Sequence, residues 1–243
     1  MSSKLIGVGV GPGDPELVTV KGVNALRAAE VVVVPVMDTG ERGRAEATVL
    51  HYVPEEKVLR VVFALNERSD RGLREAAWDA AGARVADLLG RHATVAFATI
   101  GDPNVYSTFT YLAHTIGELV PGTVVETVPG ITAMQDLAAR SGAVLTEGTE
   151  PLTLVPVTAG AAVLKDALNG PGTVVAYKFG RQAREVAEAL RDSGRIDDAV
   201  WGSALGLEDE SIRPAGELDG EPLPYLSTLI APARRDGKRG GKL

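Results

Sequence analysis

The chain has 243 residues, 45% of them hydrophobic, which is enough for one large globular core or two modest ones. It has no cysteine, and that excludes disulfides, thiolate metal sites and a cysteine nucleophile. The net charge of −7 hides a basic end: the last ten residues, RRDGKRGGKL, carry five basic groups against one acidic, so the rest of the chain is more acidic still and a poor match for nucleic acid.

The N-terminus, MSSKLIGVGVGPGDP, runs straight into a strand pattern at 5–10 and has no leader-like segment. Its glycine run, Gly7 to Gly13, fails as a dinucleotide-binding turn. The sixth position of G-x-G-x-x-G is Pro12 when counted from Gly7 and Asp14 when counted from Gly9, and Pro12 lacks the N–H that a pyrophosphate would need. The glycines instead suit close approach of a ligand or a neighbouring backbone. Gly13-Asp14-Pro15 then predicts a helix start, with Asp14 as cap and Pro15 at the first helical position, and the helix runs over 15–29.

A second strand is predicted at 31–35, followed by the loop Asp38-Thr-Gly-Glu-Arg-Gly-Arg44, flexible and rich in cations. The longest apolar stretch, 29–37, is interrupted by Glu30 and Pro35 and is far short of the roughly 20 residues a membrane span needs. A cytoplasmic protein follows as the expectation. A helix at 73–89 and a strand at 93–98 lead to a second Gly-Asp-Pro, Gly101-Asp102-Pro103, again read as the start of a helix, here 105–116.

The segment GELVPG at 117–122 reads as a linker between two halves. Beyond it come a strand at 124–128, the turn Pro129-Gly130, and Thr132 as cap of a helix at 133–140. Strands at 152–157, 173–179, 199–204 and 227–231 and helices at 161–168 and 183–191 complete the alternation. In the last helix Val186, Leu190 and the alanines form one apolar stripe, with Arg184, Glu185, Glu188 and Arg191 outside. Such alternation predicts an α/β architecture on largely parallel sheet. The boundaries are expected at 1–118, 119–233 and a disordered basic tail at 234–243. His51, His92 and His114 are far apart, and no metal set, P-loop or G-x-S-x-G serine is present in the sequence.

GVGVGPGDPELVTVKG, GDPNVYSTFTYL and VPGITAMQDLAARSG, in this order and at these spacings, resemble the tetrapyrrole methyltransferases that use S-adenosyl-L-methionine. The likeness covers the chain to about Ala231. GDPNVYSTFTYL, YKFGR at 177–181 and ALGLEDESI at 204–212 resemble the branch of the cobalamin pathway that methylates precorrin-2 at carbon 20.

The resemblance implies two α/β domains with a cleft between them, a cofactor in that cleft, and a homodimer. By position it makes Pro12 a wall of the cleft, sets Gly101 and Asp102 against the cofactor, and adds Val105 and Tyr106 a turn later. Thr132 and Ala133 match the pair that touches the cofactor, while Phe179 and Leu205 fall where the second domain packs on the adenine. Relatives often carry Met in place of Lys178-Phe179, a departure that leaves the adenine contact open.

The tetrapyrrole class carries several carboxylates, and the cations near predicted strand ends suited to them are Arg42, Arg44, Lys178 and Arg181, with Lys21 nearby. Tyr106, Glu147 and Glu208 are the candidates for a base. Alternatives within this reading are another tetrapyrrole methyltransferase, acting on uroporphyrinogen-III or another precorrin, and diphthine synthase. A non-catalytic tetrapyrrole or cofactor carrier is the alternative from a different class.

Overall fold

A computed structural model describes residues 3–63, 71–158 and 160–235 and divides into two compact units, Met1–Thr132 and Ala133–Leu243. The division falls later than the expected 118/119 boundary. The reason is pairing: the strand after GELVPG, Val124–Val128, lies in parallel beside the first strand of the chain and so completes the first sheet.

In the first unit β1 (Lys4–Gly9), β2 (Val31–Val36), β3 (Val58–Val62), β4 (Thr94–Thr99) and β5 (Val124–Val128) form one sheet in the order β3-β2-β4-β1-β5, all parallel. Helices cover both faces, so successive residues of one strand enter different cores. Ala96 and Ala98 of β4 pack with Leu26 of α1 (Val20–Ala28) and with Ala45 and Val49 of α2 (Arg44–Val49). Val95 and Phe97 of the same strand pack with Val85 of α3 (Arg71–Leu89) and with Phe109 and Ile116 of α4 (Phe109–Leu119). The neighbouring strands β1 and β4 therefore send their following helices to opposite faces. In open α/β sheets the carboxyl ends of such a strand pair flank the ligand crevice.

Two elements here were not expected. β3 follows a 3-10 turn at Glu55–Lys57, and α2 lies where the flexible loop was predicted to end. That loop is held in place: Asp38 Oδ1 accepts from the N–H of Gly40 at 2.7 Å, and Arg60 Nη1 donates to the carbonyl of Thr39 at 2.8 Å. The predicted 15–29 helix is broken. Pro15–Leu17 is a 3-10 turn capped by Asp14, and α1 starts afresh behind Thr19, whose hydroxyl accepts from the N–H of Gly22 at 3.0 Å.

The second unit departs from the parallel expectation. β6 (Leu152–Pro156), β7 (Thr173–Tyr177), β8 (Val200–Ser203), β9 (Ser211–Pro214) and β10 (Ser227–Ala231) take the order β6-β7-β10-β8-β9, and only β6 and β7 are parallel. α6 (Ala162–Leu168) and α7 (Ala183–Asp192) cover one face, and α5 (Ala133–Ser141) packs on the other. The α7 stripe is as read, with Val186 and Leu190 wholly buried and its charged residues outside.

Arg195, 4% exposed, closes this unit by donating to the carbonyls of Leu168, Gly172, Ala231 and Pro232. Most of the expected tail, 236–243, lies outside the described residues. Its first two residues are anchored: Arg234 donates to the carbonyl of Ser193, and Arg235 pairs with Glu150 and Glu147. No helix among the described residues is long and apolar enough to cross a membrane.

Candidate active site

Three loops leave the carboxyl ends of β4, β1 and β5 and meet backbone to backbone. Gly101 donates its N–H to the carbonyl of Gly11 at 2.7 Å, and both glycines hold positive φ, +71° and +77°. A Cβ at Gly9 would lie 2.5 Å from Gly101 O, and one at Gly130 only 2.1 Å from the same oxygen. Such distances admit glycine alone.

Asp102 ties the corner together. Its Oδ1 accepts from the N–H of Asn104 at 2.8 Å, and its Oδ2 accepts from the N–H of Gly130, in the β5 loop, at 3.0 Å. Asn104 adds a second link, donating from Nδ2 to Thr127 Oγ1 at 3.3 Å. The second Gly-Asp-Pro therefore opens a turn rather than a helix. Tyr106 takes a left-handed conformation (φ +50°), and α4 begins only at Phe109. Above the corner the backbone is bare. A Cβ placed on Gly101 would meet nothing nearer than Thr132 Cα at 4.0 Å, so a ligand can approach the main chain there directly.

Of the residues predicted to face the cofactor, the first unit brings together Gly101, Asp102 and Thr132, with Pro12 between the two glycines of the β1 loop. Val105 follows in the same turn, its N–H bonded to the carbonyl of Asp102 at 3.2 Å. Thr132 is 6% exposed and immediately precedes α5.

In the second unit Lys178 and Leu205 follow β7 and β8 at one end of the sheet. Lys178 N–H donates to Ser227 O, and the neighbouring Ala204 N–H donates to Leu226 O. Lys178 and Ala204 both hold positive φ, +59° and +51°, and the Lys178 ammonium lies 5.5 Å from the centre of the Tyr225 ring. Left-handed non-glycine residues carry strain, and such strain gathers at binding sites. Phe179 is fully buried among core residues that include Val157 and Val186, so its ring offers no exposed face, and Leu205 is 4% exposed against Leu137 and Ile230. Ala133 opens α5, half-buried, and Arg181 is exposed in a 3-10 turn.

Among the base candidates, burial pushes the Tyr106 phenol above its ordinary value of 10.0, so it stays protonated at neutral pH and is poorly suited to act as a base. Glu147 is paired with Arg235 at 3.3 Å, and Glu208 is exposed.

Two ion pairs missed in the sequence brace the loops around these residues. Arg60 grips Glu46 through two bonds of 2.8 Å, and Glu46 also accepts from the N–H of Gly43 at 3.2 Å. Arg140 of α5 grips Glu210, which accepts from the N–H of Gly206 at 2.7 Å beside Leu205. No local pattern announces either pair, because the partners come from different elements.

Burial alone would raise both carboxyls, but it is outweighed: by Arg60 and Gly43 for Glu46, and by Gly206 and Arg140 for Glu210. Both are held below their ordinary value of 4.5, so their contribution to stability is complete above that pH and is lost as pH falls through the lower folded values. The urea midpoint should therefore hold steady above about pH 5 and drop below about 4.5, given this linkage. The double variant Glu46→Gln, Glu210→Gln should be less stable at neutral pH and show a shallower acid slope. An unchanged slope would remove the two pairs as its source.

Comparison with known proteins places the chain in a family. Residues 4–219 match the family model of tetrapyrrole (corrin/porphyrin) methylases. A precorrin-2 C(20)-methyltransferase of Sinorhizobium sp is 32% identical over 240 residues, covering 96% of each chain. A cobalt-precorrin-2 C(20)-methyltransferase of Salmonella typhimurium is 30% identical over 234 residues, covering 95% of this chain and 96% of the relative. In fold, the uroporphyrin-III C-methyl transferase of Thermus thermophilus, solved in complex with S-adenosyl homocysteine, superposes with a TM-score of 0.66. It is 22% identical, with 94% of this chain and 97% of that one covered. The chain belongs to the tetrapyrrole (corrin/porphyrin) methylases.

Proposed function

We propose that this enzyme transfers the methyl group of S-adenosyl-L-methionine to carbon 20 of precorrin-2, or of its cobalt-bearing counterpart, in cobalamin biosynthesis. The observation that carries the reading is near-complete coverage, at 30% identity and above, of two relatives that share this one ring position in their names. The residues of the first unit fit such a cofactor, because the Gly9–Gly101–Gly130 corner leaves bare main chain at the crevice of an open α/β sheet. Gly101, Asp102, Val105, Tyr106, Thr132 and Pro12 would hold it from this unit.

A bound sulfonium supplies an already activated methyl group. What remains for the protein is positioning, which can account for several kcal/mol of a barrier, roughly 7–11 at the limit. The glycine corner and the Asp102 links supply a fixed seat for it. Charge disperses during methyl transfer, so water exclusion by Pro12 and Thr132, both buried, favours the step. The Tyr106 hydroxyl keeps its proton and serves as a donor at the rim.

Lys178, Arg181, Arg42 and Arg44 are the proposed partners of the substrate carboxylates. We place the enzyme in the cytoplasm as a homodimer, a state supported by Val124 and Val125, which are 41% and 40% exposed on the edge strand β5. Anaerobic incubation with precorrin-2 and methyl-labelled S-adenosylmethionine should place one label at carbon 20 by NMR. A label at another carbon, or no turnover despite cofactor binding, overturns the reading, and light scattering that returns the mass of one chain removes the dimer.

A further inference from the structure

Helix α2 carries a cation with one buried donor that the described residues leave unserved. Arg44 opens the helix, and its Nη1 is buried without a hydrogen-bond partner among those residues. Arg44 as a whole is half-buried, so it is this one N–H group that has lost water without gaining an acceptor, and a buried polar atom of this kind needs a reason.

The rest of α2 shows which way Arg44 looks. Arg44 and Thr48 lie four residues apart and so share a helix face. The Thr48 hydroxyl donates to the carbonyl of Gly13 at 3.1 Å, and beyond the helix the Tyr52 hydroxyl donates to the carbonyl of Pro15. This face of α2 therefore leans on the β1 loop, the same loop whose Gly11 receives the Gly101 N–H.

The neighbouring arginines are different. Arg42 is exposed to solvent. Arg60 is committed to Glu46 through Nε and Nη2 and to the carbonyl of Thr39 through Nη1. Glu46 sits two residues after Arg44 on the same short helix, so the Arg60 grip sets where α2 begins and where Arg44 emerges. Of the three, Arg44 alone keeps a buried donor to offer.

We propose that Arg44 is the receptor for a carboxylate of a bound ligand, with the Arg60–Glu46 pair as its positioning device. The inference rests on the functional reading above, in which two ligands offer that group: the methionine end of the cofactor and the acid side chains of the tetrapyrrole. Full-length wild type, Arg44→Met and Arg44→Lys are titrated calorimetrically with S-adenosylhomocysteine, with the octacarboxylate uroporphyrin, and with uroporphyrin octamethyl ester.

Arg44→Met should fold with a nearly unchanged Tm, because the half-buried side chain loses only an unpaired donor, while Kd for one carboxylate ligand rises at least tenfold, as loss of a charge-assisted pair predicts. Arg44→Lys should recover part of the affinity. A weakened S-adenosylhomocysteine isotherm assigns the methionine carboxylate. A weakened uroporphyrin isotherm with the ester unaffected assigns the ring acids. Wild-type binding matched by Arg44→Met overturns the Arg44 assignment alone. A wild-type chain that binds neither S-adenosylhomocysteine nor uroporphyrin overturns the functional reading, and the Arg44 assignment with it.

Discussion

Gly130→Ala should cost about 3 kcal/mol of stability or more and abolish cofactor binding, at the upper end of what overpacking does. The added Cβ would stand 2.1 Å from Gly101 O and 2.8 Å from both Gly9 C and Gly9 Cα. All three are main-chain atoms at strand ends, so no side chain can turn aside to make room. Either the β5 loop lifts off the β1 and β4 loops, breaking the Gly130 N–H bond to Asp102, or the strands shift in register.

A matched control lies in the same unit. Gly117 is exposed in α4, and a Cβ there meets nothing within 4 Å. Gly117→Ala should be neutral or gain up to about 1 kcal/mol from helix propensity. Urea unfolding and calorimetric titration with S-adenosylhomocysteine check both variants. A Gly130→Ala protein with wild-type stability and affinity would show that the three loops do not depend on their close approach.

The glycines were legible in the sequence as residues for close approach, because only glycine tolerates such contacts wherever it falls. Their partners were not. Asp102 was read as a helix cap, and its second oxygen serves Gly130, a link between two strands that only the sheet order creates. α2 was hidden for a local reason. It has six residues, begins behind Gly43 with no side-chain cap, and draws its order from Arg60 in a later strand.

The parallel expectation held for the first sheet and failed for the second because strand direction is a property of the pairing. β8 and β9 have only four residues each, and nothing within SIRP marks it as an antiparallel edge. Phe179 was assigned by position in the family pattern, yet burial decides what a side chain can touch, and its ring is enclosed in the core. The structure thus shifts the weight of the candidate site from side chains to main chain.

That shift sets up the contrast between the two Gly-Asp-Pro turns. Asp14 makes one local bond, accepting from the N–H of Glu16 at 2.8 Å, and Asp14→Ala should cost about 1 kcal/mol, the usual value of a lost cap. Asp102 makes one local and one tertiary bond, both to main-chain donors, so Asp102→Ala should cost about 2–3 kcal/mol on the scale of charge-assisted bonds.

The difference should be wider in function than in stability. Losing the Asp14 bond frays a 3-10 turn, whereas losing Asp102 frees Gly101 and Gly130, whose bare backbone is the proposed seat of the cofactor. Asp102→Asn removes one of the two bonds while keeping the side chain's size. Its amide has one oxygen for two N–H donors, so whichever way it turns one of the two bonds becomes donor against donor and the corner is loosened. S-adenosylhomocysteine affinity should therefore fall by at least tenfold in both Asp102 variants and by less than threefold in Asp14→Ala, a margin set by about 1.4 kcal/mol per decade. If Asp14→Ala and Asp102→Asn lose affinity equally, the corner is not the seat and the two turns are equivalent after all.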